Sequence, residues 1–279
     1  MIAFVALAAG IAAVVVVLPA LGGGGGGGDD DSASVPARPP SPHPRPASGA
    51  GLPSVAPVRN PKPQPDWRAY SGGVPILRYD VVGSPPPNTS ELELFVSPAD
   101  FREQMSWLDA HGYEAVGLET VERAWFSGGT LPAKPIVLSF DGVRGRLLGV
   151  VVPELRRRGW PGDLVVDTEA LPLRFAAIGG LLALGWNVEP SGREPAAARH
   201  LLRSRLPTPA KNFAFPSAAA ADSGTSLVEA AGFAGATVNG GGFAKSSRRF
   251  AMPRITIFNE SAVGGFAEAI RSHGEGVGA

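Results

Sequence analysis

Cysteine is absent from the 279 residues, which excludes disulfides, thiolate metal sites and cysteine nucleophiles while leaving the compartment open. Histidine is scarce: His43, His111, His200 and His273 include no two that are four residues apart, so the pattern that sets two imidazoles on one helix face is missing. Each has a plain structural reading. His43 falls in a solvated linker, His111 at a helix end, His200 on a helix face among arginines, and His273 in a frayed tail. Net charge is missing too, since Lys plus Arg and Asp plus Glu number 25 each, so no overall field draws nucleic acid. No Gly-x-Gly-x-x-Gly follows a strand and opens a helix; "NGGGF" at 239–243 reads as a loop.

Charge is also lacking in residues 2–21, a run that spans about 30 Å if helical and so matches one hydrocarbon thickness. Residues 1–21 are read as a signal peptide or an N-terminal transmembrane anchor, which implies a membrane partner and an outward-facing or secreted domain. Residues 22–73 pass through a glycine block, "DDD" at 29–31, "ARPPSPHPRP" and "NPKPQP". So few apolar side chains cannot offset ordering entropy, and a flexible Gly/Pro-rich linker is expected. "NTS" at 88–90 matches the N-glycosylation acceptor pattern, and "SRR" at 247–249 reads as a solvated basic turn.

From residue 74 the pattern becomes short apolar runs separated by amphipathic stretches, as in a parallel sheet or barrel wrapped by helices. About eight strand candidates stand out: "VPILRYDVV", "YEAVGL", "KPIVLSF", "DLVVD", "WNVE", "NFAF", "GATV" and "RITIF". In "SPADFREQMSWLDAHG", Ser97 is placed to cap a helix, Pro98 to open it and Gly112 to stop it, with Phe101, Met105 and Leu108 as its apolar stripe. Leu148, Val151, Val152 and Leu155 form the inward stripe of another helix, which Pro153 kinks or starts. Further helices are expected over 173–184, 195–205 and 224–231. A closed or nearly closed (β/α) barrel over 74–260 accounts for this with the fewest assumptions, a doubly wound open sheet being the alternative. Residues 261–279 read as a C-terminal helix and flexible tail. In a barrel, function sits at the C-terminal strand ends, where Asp80, Asp141, Asp167, Glu189 and Ser217 fall.

The succession "VPILRYDVVG", "VSPADFREQMSWLDAHGYEAVGL", "LPAKPIVLSFDG", "PELRRRGWPGDLVV", "NFAFPSA", "VEAAGFAGATV" and "MPRITI" resembles the polysaccharide deacetylase family (NodB-like, carbohydrate esterase family 4) over residues 74–258. The resemblance implies a distorted (β/α) barrel, a cell-wall or extracellular polysaccharide as partner, and hydrolysis of N-acetyl groups on a divalent metal such as zinc. It implies an Asp-Asp pair in which the first acid is the base and the second a metal ligand, with two histidines completing the ion's shell. In this chain Asp141 keeps the base position and Gly142 stands at the ligand position, while Ser191 and Pro195 stand where the imidazoles belong. Tyr79-Asp80 replaces a Tyr-His pair, so Asp80, with Phe215, Pro216 and Arg254, is a substrate-groove candidate by the same resemblance. No metal ligand is therefore assigned.

Several alternatives stay open. Asp80, Asp141, Asp167, Glu189 and Glu194 would suit Mg²⁺ or Ca²⁺ if they converged, or paired-carboxylate glycoside hydrolysis without metal. Asp141 also suits the cap of the following helix. Trp160, Trp186, Phe215 and Phe243 offer ring faces to sugars if exposed and core packing if not. The leading functional expectation is a polysaccharide-deacetylase-like envelope protein with a degenerate metal site, weakly active or inactive, that binds glycan. An active metal-dependent carbohydrate N-deacetylase and a protein-binding envelope scaffold are the alternatives.

Overall fold

The computed structural model describes residues 62–170, 172–259 and 263–274. The charge-free run 2–21, most of the linker and the tail beyond 274 lie outside these residues. Among the described residues, no helix is long and apolar enough to cross a membrane.

Seven strands form the barrel: β1 (Ile76–Tyr79), β2 (Pro135–Asp141), β3 (Asp163–Asp167), β4 (Asn187–Ser191), β5 (Asn212–Ala214), β6 (Gly235–Asn239) and β7 (Met252–Thr256). Each pairs in parallel with the next in the chain, and β7 returns to β1. The ring is singly wound and closed, which removes the open-sheet alternative and leaves no unpaired barrel edge. The eighth strand candidate shrinks to Glu114–Ala115, paired with only the first two residues of β2. Its sequence "YEAVGL" carries the right apolar pattern, but the chain turns at Gly117 into the next helix.

The helices pack outside: α1 (Pro98–Ala110), α2 (Leu118–Ser127), α3 (Val152–Arg158), α4 (Phe175–Ala183), α5 (Pro195–Arg205), α6 (Ala218–Ala230) and α7 (Val263–Gly274). Ser97 Oγ accepts from the Asp100 amide at 3.1 Å, and Phe101, Met105 and Leu108 are buried, as the α1 pattern predicts. Between these helices and the outer faces of the strands runs an aromatic cluster. Tyr79 stacks on Phe140 at 5.4 Å and meets Phe101 edge-on at 5.3 Å, while Phe140 lies 5.4 Å from Trp186. Burying each such ring contributes roughly 1.5–3 kcal/mol.

Three local expectations are corrected. The stretch before α3 is a wider π-type turn over Leu147–Val151, because Pro153 has no N–H with which to continue an α-helical ladder through this point. The wider turn rotates Leu147 inward and leaves Leu148 exposed. α6 starts at Ala218 rather than 224, with Ser217 Oγ capping the Ala220 amide at 3.2 Å. Asp222, Ser223 and Gly224 hide this start in the sequence, and Gly224 is there for packing: a Cβ would lie 2.8 Å from the Phe215 ring. His273 belongs to α7, its Nδ1 2.6 Å from the Ala269 carbonyl. That helix buries Phe266 and Ile270, with Phe266 edge-on to Trp107 of α1.

The packed region also begins ahead of residue 74. Arg68–Ala69 pairs with Thr130–Leu131, and Trp67 joins a cluster with Val74, Leu118, Val137 and Met252 beneath the barrel.

Inward-facing residues follow the period of two along each strand. At the N-terminal ends they are apolar, as Ile76, Val137 and Met252 show. One step up stand Ser139, Glu189, Thr237 and Arg254, all buried. At the C-terminal ends stand Arg78, Asp141, Ser191 and Asn239, which line an open cavity.

Candidate binding cavity at the barrel mouth

Asp141 ends β2 and points into the mouth. Its Oδ2 accepts from Arg78 Nε at 2.6 Å and its Oδ1 from Arg254 Nη1 at 2.8 Å. Arg78 reaches it from β1, and Arg254 from β7, where the side chain is only 2% exposed. Arg254 is further held by Asn239 Oδ1 at 2.7 Å and Ser139 Oγ at 3.2 Å. Arg78 Nη2 donates to Asp80 Oδ1 at 2.7 Å, and Arg144 donates both to Asp80 at 3.2 Å and to the Asp141 main-chain carbonyl at 2.9 Å. Burial alone would raise the Asp141 carboxyl, but the Arg254 and Arg78 guanidiniums outweigh it and hold the group below the usual aspartate range.

Sequence reasoning thus found Asp141, Arg254 and Asp80, and the structure joins all three through Arg78. It missed Arg78, Arg144 and Asn239. The signal for Arg78 was available: an arginine inside the apolar run "PILRY" has to face a polar lumen or stay unsatisfied. Gly142 and Ser191 line the same cavity, with Pro216 on its wall. Phe215 is buried against Phe213 and does not line it. Pro195 is also away from it, in the first turn of α5. Trp160 and Trp186 are core residues, so they offer no platform to a sugar.

The five carboxylates weighed as an oxygen cage do not converge on one ion position. Asp80 and Asp141 are bound by arginines. Asp167 Oδ1 accepts from the Glu169 amide at 2.9 Å, and Glu194 precedes α5 without capping it. Glu189 lies beneath the mouth, accepting from Thr237 Oγ1 at 2.9 Å, and burial pushes its carboxyl up to about 7. Among the described residues, no three His, Asp or Glu side chains are placed to share an ion. The donor chemistry also argues against a divalent metal here. Both oxygens of Asp141 are taken by guanidiniums, Gly142 and Pro195 supply no side-chain donor, and a cation beside Asp141 would face two fixed positive charges. The residues present do not fit the family's metal. Asp141 likewise does not cap the next helix, since its carboxylate is committed to the arginines.

The cavity measures about 550 Å³, within the range of small-ligand sites. It is further walled by Val143, Val165, Leu173, Ile178, Arg174 and Arg193. Further buried polar groups lie at the opposite, N-terminal end of the barrel, where α2 meets the strands. Asp163 Oδ2 accepts from the Leu118 amide at 2.8 Å, and Glu122 accepts from Asn212 Nδ2 at 2.8 Å. Both acids titrate above their usual range, chiefly through burial.

A closed ring of seven parallel strands with its working side chains at the C-terminal rim is the distorted (β/α) barrel of the polysaccharide deacetylases. Solved structures with this fold include the Streptococcus pyogenes deacetylase PplD in complex with acetate, at TM-score 0.63 and 18% identity, covering 72% of this chain and 99% of that one. BC0361, a polysaccharide deacetylase from Bacillus cereus, matches at 0.58 and 19% identity, covering 72% and 69%. IcaB from Ammonifex degensii matches at 0.56 and 18%, covering 71% and 97%. These likenesses identify the fold. No protein-family model matches the chain, and no curated protein sequence matches it.

Proposed function

We propose that this chain is a glycan-binding relative of the polysaccharide deacetylases that has given up metal-dependent hydrolysis, anchored in the membrane or secreted and acting on the cell envelope. The observation that carries this reading is Asp141 clamped between Arg78 and Arg254. A general base works best with a pKa near the operating pH, and here two guanidiniums hold the Asp141 carboxyl below the ordinary aspartate range, which weakens it as a base. Gly142, Ser191 and Pro195 at the expected ligand positions support it. The outward location rests on the charge-free run at 2–21 and the Gly/Pro-rich linker that follows.

The full chain, mixed with insoluble peptidoglycan or chitin and sedimented, should be retained. Retention no better than that of an unrelated barrel would sink glycan binding and favour the scaffold role. One observation favours a second reading, an active N-deacetylase: Asp141 sits at the strand end and is held ionised, as a base must be. Acetate release from N-acetylglucosamine oligomers separates the two. It should stay at the buffer rate with or without added zinc, whereas zinc-stimulated release that vanishes in Asp141→Asn would establish the enzyme.

A further inference from the structure

The cavity is lined by five arginines, Arg78, Arg144, Arg174, Arg193 and Arg254, against three acids, Asp141, Asp167 and Glu169. Pairing leaves the excess unspent. Asp141 is shared by two guanidiniums, Asp80 by Arg78 and Arg144, and Glu169 is taken by Arg193 at 3.0 Å. Arg174, on the exposed loop before α4, has no ion pair among the described residues. Among the described residues, Arg254 Nε is buried and has no hydrogen-bond acceptor, an unmet donor that costs free energy. Counting Asp80 as well, the balance is still one positive charge. Glu189, in the same layer as Arg254, does not fully cancel it, because burial pushes that carboxyl up to about 7. The remaining wall, formed by Val143, Val165, Leu173 and Ile178, is apolar and suits the C–H face of a sugar ring.

We infer that the cavity receives a carboxylate-bearing sugar unit of an acidic polysaccharide, its carboxylate held by the arginines around Asp141 and by Arg174, its ring against the Val143–Leu173 wall. This rests on the glycan-binding reading and names the class of glycan. Guanidinium forks match a planar carboxylate with two parallel donors, and the seat lies in a cleft where charge pairs are screened less than on an open surface.

Calorimetric titration of the full chain tests it, using an oligosaccharide of alternating glucuronate and N-acetylglucosamine, its carboxyl-reduced counterpart, and a neutral N-acetylglucosamine tetramer. The acidic form should bind at least about tenfold more tightly than the reduced one. Arg144→Gln with Arg174→Gln should erase most of that difference; both side chains are exposed. Equal affinity for acidic and reduced forms would overturn the inference while glycan binding stands. No binding of any saccharide would overturn both. Free glucuronate and inorganic phosphate form the control arm: if either binds as tightly as the acidic oligosaccharide, the site is a small-anion seat and the sugar assignment fails.

Discussion

The two ends of the barrel lumen are built from the same seven strands and solve opposite problems. At the N-terminal end Ile76, Val137 and Met252 pack with Trp67, Val74 and Leu118, a mainly apolar plug in which Asp163 accepts from the Leu118 amide and Asn212 donates to Glu122. At the C-terminal end the same strands, two or four residues on, present Arg78, Asp141, Asn239 and Arg254. There each group needs a partner of the right charge, because burying an unpaired ion costs far more than burying a poorly packed methyl. Truncating an apolar residue of the plug therefore costs the cavity it leaves, whereas removing one ion of the mouth also strands its partner. An apolar filling of the mouth would be about as stable as its ion pairs, or more so.

The largest effect expected from this contrast is that of Arg254→Leu. It strands Asp141 with Arg78 alone and should cost about 3 kcal/mol or more in urea unfolding. Met252→Ala at the plug should cost about 2–4 kcal/mol through the cavity it leaves. The sharper test is coupling. In an Asp141→Asn background the Arg254→Leu cost should fall by at least about 1 kcal/mol, whereas the Met252→Ala cost should not change. Equal costs for Arg254→Leu in both backgrounds would mean that the arginine acts through packing.

The pH dependence divides the lumen again. Asp141 titrates below its unfolded value, so its contribution is present above about pH 4 and is lost as pH falls through the folded value. Glu189 behaves in the opposite sense. Its folded value, about 7 against an ordinary 4.5, means that the folded chain holds a proton which the unfolded chain has released. Stability should decline as pH rises from about 4.5 to about 7, by up to about 3 kcal/mol, with Asp163 and Glu122 adding in the same direction. Glu189→Gln, which keeps an acceptor for Thr237, should flatten that decline. A stability curve rising through the same window would show Glu189 ionised in the fold.

Much of the barrel was legible because its outer layer obeys simple periodicities. The α1 stripe at Phe101, Met105 and Leu108 and the runs that became β2, β3 and β6 needed only the spacing of apolar residues. Closure by seven strands rather than eight was not legible, since whether "YEAVGL" joins the ring depends on where Gly117 turns the chain. The site was half visible: Asp141 and Arg254 could be placed by motif, but the clamp needs Arg78, which arrives from a strand 63 positions away. Long-range pairing of opposite charges leaves no periodic trace. The same holds for Trp67, whose burial depends on a partner strand at Thr130–Leu131 rather than on its own Pro-rich neighbours.

The smallest effect concerns Gly142, and it tests whether the mouth is a metal site short of one ligand or a different site. Gly142 has φ +80°, and a Cβ there would lie 3.2 Å from Arg144 Nε. Gly142→Asp should therefore cost about 1–2 kcal/mol from the left-handed backbone, with part returned by attraction between the new carboxylate and Arg144. If one missing acid were the whole defect, this substitution would create zinc affinity. The geometry says otherwise: Arg78 and Arg254 already neutralise Asp141, and Ser191 and Pro195 bring no imidazole, so a new carboxylate gains a third arginine contact instead of an ion. Equilibrium dialysis of Gly142→Asp against micromolar zinc should match the unsubstituted chain. One tightly held zinc per chain would show that the arginines yield to a cation, and the clamp around Asp141 would then be a resting state of an ion site.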